Sequence, residues 1–192
     1  MTKRLSPQDW IDFAISALAR EGFESLKVDI LARQMGVSRG SFYWHFADLA
    51  DFHVKVIAHW KHLATEAVIA DVEQSENSAE RLAALLLHAF SRRYGLEIRV
   101  RAWADVNVDA AQALDAIDRE RTDYIQRLLI DAGVPRPIAA LRSQLLYWAY
   151  LGAVFSKSDV GTDQLYHTVH ELMVFALDVP YRPMTNGSVP AN

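Results

Sequence analysis

Lys27-Val28-Asp29-Ile30-Leu31-Ala32-Arg33-Gln34-Met35-Gly36-Val37-Ser38-Arg39-Gly40-Ser41-Phe42-Tyr43-Trp44-His45-Phe46 reads as two short helices joined by a tight turn. Val28, Leu31, Ala32 and Met35 recur at helical spacing, so the first helix runs from about Lys27 to Met35 with those side chains inward. Gly36 stops it, since glycine tolerates the left-handed conformation a helix end favours. Val37 plugs the angle between the two helices, and Ser38 is the expected N-cap of the second, from Arg39 to about His45. Helices this short are not stable alone and need a scaffold. On the upstream side, Trp10, Phe13, Ala14, Ala17 and Leu18 define a helix opened by Ser6 and Pro7 and closed by Gly22. On the downstream side, Phe52, Val56, Leu63 and Ala67 fall on one face of a long helix over roughly Asp48–Val72.

The short helix after Gly36 carries Arg39, Gly40, Ser41, Tyr43, Trp44 and His45, a polar and aromatic face. Such a helix suits the major groove of double-stranded DNA, where short side chains and exposed amides meet phosphates and base edges. Arg39 can reach a guanine edge or a phosphate, and Gly40 permits close backbone approach. Tyr43 and His45 can donate to phosphate oxygens and fix the register. Tyr43 and Trp44 exposed on one short helix imply that something covers them. The charge distribution has the matching sign. Net charge is −4 overall, but residues 1–46 carry six Lys/Arg against five Asp/Glu, while residues 47–192 carry fourteen against nineteen. The positive end is the N-terminal one.

The segment resembles the DNA-binding motif of the tetracycline-repressor (TetR) family. Leu31, Ala32, Gly36, Val37, Ser38, Gly40, Tyr43, His45 and Phe46 stand in the family's places without a gap. The resemblance implies a sequence-specific, ligand-responsive transcriptional regulator, usually a repressor, acting as a homodimer on a palindromic operator. Two positions depart from the pattern. Lys27 replaces the usual capping Ser or Thr, and Leu49 replaces a lysine that often contacts the DNA backbone. Lys27, with Lys3 and Arg4, is the expected source of the phosphate contacts that Leu49 cannot make.

The rest of the chain reads as helices over about Ala79–Arg93, Leu96–Asp105, Asp109–Ala132, Ile138–Phe155 and a last one around Leu165–Ala176. The fold class is all-α with about nine helices. The expected domains are a three-helix helix-turn-helix unit (1–47), a helical ligand-binding and dimerisation domain (48–179) and a flexible tail (180–192). Along Ile138–Phe155, Leu141, Leu145, Trp148, Gly152 and Phe155 line one stripe and Leu146, Tyr150 and Ala153 another, so this helix needs neighbours on two sides. With Leu165, Val169 and Leu172 of the last helix, the first stripe is the expected dimer face, since the resemblance implies that the last two helices pair across a two-fold axis. Trp103, Tyr124, Tyr147 and Tyr150 are the expected lining of a pocket for a small-molecule effector, with Arg99, flanked by Glu97 and Arg101 just before Trp103, as the expected source of a charged contact.

Other classes are less well supported. The chain has no cysteine, which excludes disulfides, thiolate catalysis and sulfur-based zinc sites, and fits a reducing cytoplasm. The longest apolar run, Leu145 to Phe155, is far short of the roughly 20 residues that span a bilayer, so no membrane partner is expected. His59, His62 and Glu66 share a helix face, but not at the spacing of a known zinc motif, and no cofactor, metal site or catalytic constellation is expected. An interaction protein that has kept this architecture without binding DNA is the main alternative, ahead of a metal-dependent helical enzyme.

Overall fold

The computed structural model describes residues 5–91, 94–156 and 162–178. Lys3, Arg4 and the tail from residue 180 lie outside them. Among the described residues there is no strand. The helices are α1 (Pro7–Glu21), α2 (Val28–Met35), α3 (Arg39–Tyr43), α4 (Leu49–Lys61), α5 (Ala67–Val72), α6 (Ser78–Phe90), α7 (Gly95–Ala104), α8 (Val108–Asp131), α9 (Arg136–Ser156) and α10 (Thr162–Leu177). A π turn, His62–Glu66, joins α4 and α5 into one rod, which makes nine helical rods among the described residues.

Local chemistry sets most boundaries. At α1, Asp9 N–H donates to the Ser6 hydroxyl at 3.2 Å, and Ser6 N–H donates to the Asp9 carboxylate at 2.7 Å, a reciprocal capping box. After α2, Gly36 adopts φ 69°, ψ 30°. That left-handed residue lets Val37 N–H reach the Ala32 carbonyl (3.0 Å) and Gly36 N–H the Arg33 carbonyl (3.3 Å), closing the helix. Lys27 heads α2 without any side-chain cap. Ser38 holds the N-cap position of α3 in extended backbone, but its hydroxyl makes no capping bond there, contrary to expectation. Helix α3 also ends at Tyr43, two residues earlier than the sequence suggests, and His45 and Phe46 follow in a turn bonded back to the Phe42 carbonyl.

The α4–α5 rod departs from simple periodicity. Phe52, Val56 and Trp60 are buried, and continuation of that face would bring Leu63 and Ala67 inward. Both are exposed, and Thr65, Val68 and Val72 are buried instead. The π turn accounts for the change. Ala67 N–H donates to His62, five residues back, so one extra residue is wound into the rod and the buried stripe rotates.

The interior forms two clusters. The first joins α1–α4 to α7 and the start of α8 through Val100, Trp103, Ala110, Leu114 and Ile117. The second packs α5, α6, the later part of α8, α9 and α10. Leu114, Ile117, Tyr124, Ile125 and Leu128 all point inward from α8, as their spacing requires.

His53 lies where α4 meets α7. Its ring meets Phe23 at 5.4 Å and Trp103 at 5.2 Å, both edge to face, and its Nε2 is 3.3 Å from the Leu26 carbonyl. Burial holds this imidazole below its ordinary 6.5, and the bond to Leu26 offsets only part of that. The unfolded chain therefore takes up the proton first as pH falls, so stability is lost on the acid side of about pH 6.5. Urea midpoints at about pH 7.5 and about pH 5.5 test this: wild type should lose more stability between them than His53→Gln, which does not titrate. Equal losses would remove His53 as the cause.

Candidate nucleic-acid interface and ligand cavity

Helix α3 is fixed from beneath by aromatic packing. Phe42 is fully buried and meets Trp10 at 5.4 Å, Phe52 at 5.1 Å and Phe46 at 4.9 Å. Phe46 in turn meets Phe52 at 4.8 Å. With these rings inward, the neighbouring side chains must turn out: Tyr43 is 54% exposed and Trp44 79%. Ser38, Arg39 and Gly40 are exposed as well, and Ser41 is half-buried. A Cβ built on Gly40 would meet nothing of the chain closer than the Ser38 hydroxyl at 3.7 Å, so the surface there is open.

Of the expected DNA-facing residues, the structure groups Ser38, Arg39, Gly40, Ser41, Tyr43 and Trp44 on one end of the molecule. Arg39 Nε holds the Asp29 carboxylate at 2.7 Å, and Lys27 Nζ holds Glu24 at 2.5 Å. Both pairs are solvated and worth little, so either cation can exchange its partner for a phosphate. His45 is placed differently from expectation. It is half-buried and donates its Nε2–H to the Leu5 carbonyl at 2.9 Å, tying the chain before α1 to the end of α3. That nitrogen is already committed. Leu49 is half-buried and packs on the first core, as an apolar residue at that place should.

A cavity of about 420 Å³ lies between the α4–α5 rod, α6, the start of α7, α8 and α9. Its walls are mainly apolar, among them Trp60, Leu63, Val68, Leu86, Phe90 and Leu146. Tyr124, Tyr147 and Tyr150 line it, as their sequence positions suggest, and Tyr94 joins them. Burial pushes the phenols of Tyr124, Tyr147 and Tyr150 above their ordinary range, so they stay neutral. The other two expected lining residues lie elsewhere. Trp103 is fully buried in the first core, stacked on Phe23 at 5.1 Å and 14°. Arg99 is exposed and lies over Gly22, where its guanidinium would be 3.6 Å from an added Cβ.

The charged floor joins Glu97 and Arg101, two of the charged residues before Trp103, to Arg121 and Asp118, which the sequence does not single out for it. Arg121 Nη1 donates to Glu97 Oε1 at 3.1 Å, its Nε to the Thr65 hydroxyl at 2.9 Å and its Nη2 to the Ala64 carbonyl at 3.3 Å. Its guanidinium also lies 5.2 Å from the Trp60 ring. Two of these partners, Ala64 and Thr65, belong to the π turn. Behind them, Arg101 bonds Glu97 at 2.9 Å and grips Asp118 with two bonds of 3.0 and 2.9 Å. The Tyr147 hydroxyl completes the cluster, donating to Asp118 at 2.5 Å. Asp118 thus pairs with Arg101.

On the far side of α9, Leu141, Leu145, Trp148, Gly152 and Phe155 form an exposed stripe, Trp148 being 59% exposed. Nothing lies within 4 Å of a Cβ added to Gly152. The expected contribution of α10 to this face needs correction. Leu165 and Val169 are buried in the second core and Leu172 is half-buried against it, because α10 packs on α6 through that side. The exposed apolar residues of α10 are Tyr166, Val174 and Phe175. His59 faces Asp12 at 3.0 Å and His62 faces Glu66 at 3.2 Å, and among the described residues no group of three or more metal-binding side chains converges. No helix among them is long and apolar enough to cross a membrane.

Comparison with known proteins bears on this arrangement. The chain is 26% identical over 89 residues to the fatty acid metabolism regulator protein of Bacillus subtilis (strain 168), an alignment covering 46% of each chain. It thus spans about half the length of that curated relative. Among solved structures, it is similar to the transcriptional regulator FadR of Bacillus subtilis in complex with stearoyl-CoA, with TM-score 0.66 and 19% identity over 90% of this chain and 98% of that one. A TetR-family transcriptional regulator from Streptomyces coelicolor gives TM-score 0.70 and 17% identity over 88% of both chains. At such identities the structures establish a shared fold. Residues 11–51, which contain α2, α3 and their supporting rings, match the model for bacterial regulatory proteins of the tetR family. The N-terminal segment is thus similar to the DNA-binding domain of the tetR family of bacterial regulatory proteins, and the fold built on it is one shared with solved transcriptional regulators.

Proposed function

We propose that this protein is a ligand-responsive transcriptional regulator that binds a palindromic operator as a homodimer. The observation that carries the reading is the outward presentation of Arg39, Tyr43 and Trp44 from a helix whose Phe42 and Phe46 are locked in the core. A rigid support is what a base-reading helix requires, because groove contacts tolerate little positional error. Arg39 and Lys27 supply cations for base edges or phosphates, with Ser38, Ser41 and Tyr43 as hydrogen-bonding groups. The half-sites of a palindrome call for a two-fold dimer, and the bare stripe of α9, joined by Tyr166, Val174 and Phe175 of α10, offers the self-complementary face.

The cavity between the α4–α5 rod and α6–α9 is the effector site in this reading, and its apolar walls suit an apolar molecule. The Bacillus subtilis FadR, solved with stearoyl-CoA, is a relative whose ligand carries a long apolar chain. Effector binding acts on α4, which forms one wall of the cavity and one support of the DNA-reading helix. A ligand that favours one placement of α4 changes operator affinity, and by linkage the operator changes ligand affinity by the same factor.

Light scattering and operator binding test the dimer and the DNA reading together. Wild type should be dimeric and bind a duplex from its own upstream region far more tightly than random duplex. Trp148→Glu, placing a charge in the middle of the stripe, should be monomeric and fall to random-duplex affinity, a loss of at least about 10³-fold. A monomeric wild type, or a wild type indifferent to sequence, would refute the reading.

A further inference from the structure

Within this reading of the cavity as an effector site, we propose that it selects uncharged ligands, and that Glu97 is the residue imposing the selection. The ligand class is an apolar molecule carrying a neutral hydroxyl, carbonyl or amide group.

The floor of the cavity is electrically balanced. Among the described residues lining the cavity, Glu97 and Arg121 are the acid and the permanent cation, and they hold each other at 3.1 Å. Arg101 and Asp118 behind them are likewise paired at 2.9 Å, so the buried cluster of four carries no net charge. The side chains of Glu97, Arg101 and Arg121 are each about one-tenth exposed. An ion moved into such a place leaves its water shell and finds no free counter-charge, which is costly. A carboxylate seeking Arg121 must displace Glu97, which two arginines hold. An ammonium seeking Glu97 meets those same two arginines.

A neutral polar group faces no such barrier. The Tyr94 hydroxyl is buried in the cavity wall and, among the described residues, has no hydrogen-bond partner, so it is free to donate to or accept from a ligand. The phenol ring of Tyr150 stands 6.0 Å from it, edge to face, and fixes its direction. Apolar walls supply the remaining affinity by burial.

The test uses the full-length protein and three probes with one chain and different heads: 1-decanol, decanoate and decylammonium, titrated calorimetrically. The titrations are run at about pH 8, where decanoate and decylammonium are both fully charged. Decanol should bind at least about tenfold more tightly than either ion. Ala89→Trp, which fills the cavity from α6, should abolish decanol binding and so place the probe. In Glu97→Gln the bonds to both arginines can persist while the compensating charge is gone. Decanoate should then gain at least about tenfold relative to decanol, and decylammonium should not gain.

If decanoate or decylammonium binds wild type as tightly as decanol, the neutral-ligand proposal is overturned while the effector site stands. If none of the three binds, or Ala89→Trp leaves decanol binding intact, the effector site itself is overturned, whereas operator binding is judged separately by its own assay. If Glu97→Gln folds and decanoate gains nothing relative to decanol, the role of Glu97 is overturned; should that variant fail to fold, the ranking on wild type still decides the ligand class.

Discussion

Phe42→Ala is expected to remove about 3–5 kcal/mol of stability and, with it, all DNA binding. Phe42 has no exposed surface, and its ring touches Trp10, Phe46 and Phe52, one from each neighbouring element. Truncation would leave a cavity bounded by three other rings, which cannot collapse without moving α1 or α4. Helix α3, only five residues long, has no means of holding its shape once that anchor is lost. The loss is a large share of the roughly 5–15 kcal/mol that typically holds a domain together. Tyr43→Ala, one residue along and mostly exposed, is the contrasting case. It should change stability by less than about 0.5 kcal/mol yet weaken operator binding. Urea midpoints and fluorescence anisotropy with labelled duplex separate the two effects. If both variants proved equally stable, Phe42 would not be the anchor described above.

Arg101→Met should cost a similar amount, about 3–5 kcal/mol, for an electrostatic reason. Arg101 is nearly enclosed and satisfies Glu97 and Asp118 at once, with the Tyr147 hydroxyl at 3.0 Å. Methionine fills much of its volume but strands carboxylates that have already lost their water. The cause can be checked by removing the stranded charges as well. In a triple variant that adds Glu97→Gln and Asp118→Asn, much of the lost stability should return, since a buried network removed whole costs far less than one broken in part. A single-variant cost under about 1 kcal/mol would mean that the network is solvated and weak, like a surface pair.

What the sequence made legible follows from range of interaction. Ser6, Gly22 and Gly36 act within a few residues of themselves, and the ends of α1 and α2 fall where those residues put them. The two apolar faces of α9 were also readable, because a stripe at helical spacing records that a neighbour exists. It does not record which neighbour, and so spacing alone does not show that Leu165 and Val169 face the second core and α6. The phase slip between α4 and α5 has no local mark. The partner of the Ala64 carbonyl and Thr65 hydroxyl is Arg121, more than 50 residues away in the chain, and no window of sequence contains both. The same distance hides the cavity floor, although Glu97 and Arg101 stand at i, i+4. Trp103 shows the opposite error: an amphipathic aromatic fit to line a pocket is spent on joining α7 to the first core. His45 matched its motif, yet the reach of its ring to Leu5 depends on how α1 begins, 40 residues earlier.

The first core takes Val100, Trp103, Ala110, Leu114 and Ile117 from beyond the DNA-reading helices, and this bears on how the protein comes apart. A fragment ending after α5 would bare the flanks of Phe23, His53 and Trp60 to water and lack the ring that stacks on Phe23. The reading head is therefore not a detachable module. Its melting is coupled to that of α7 and α8, and a calorimetric scan should record one cooperative transition in which the head does not dissolve first.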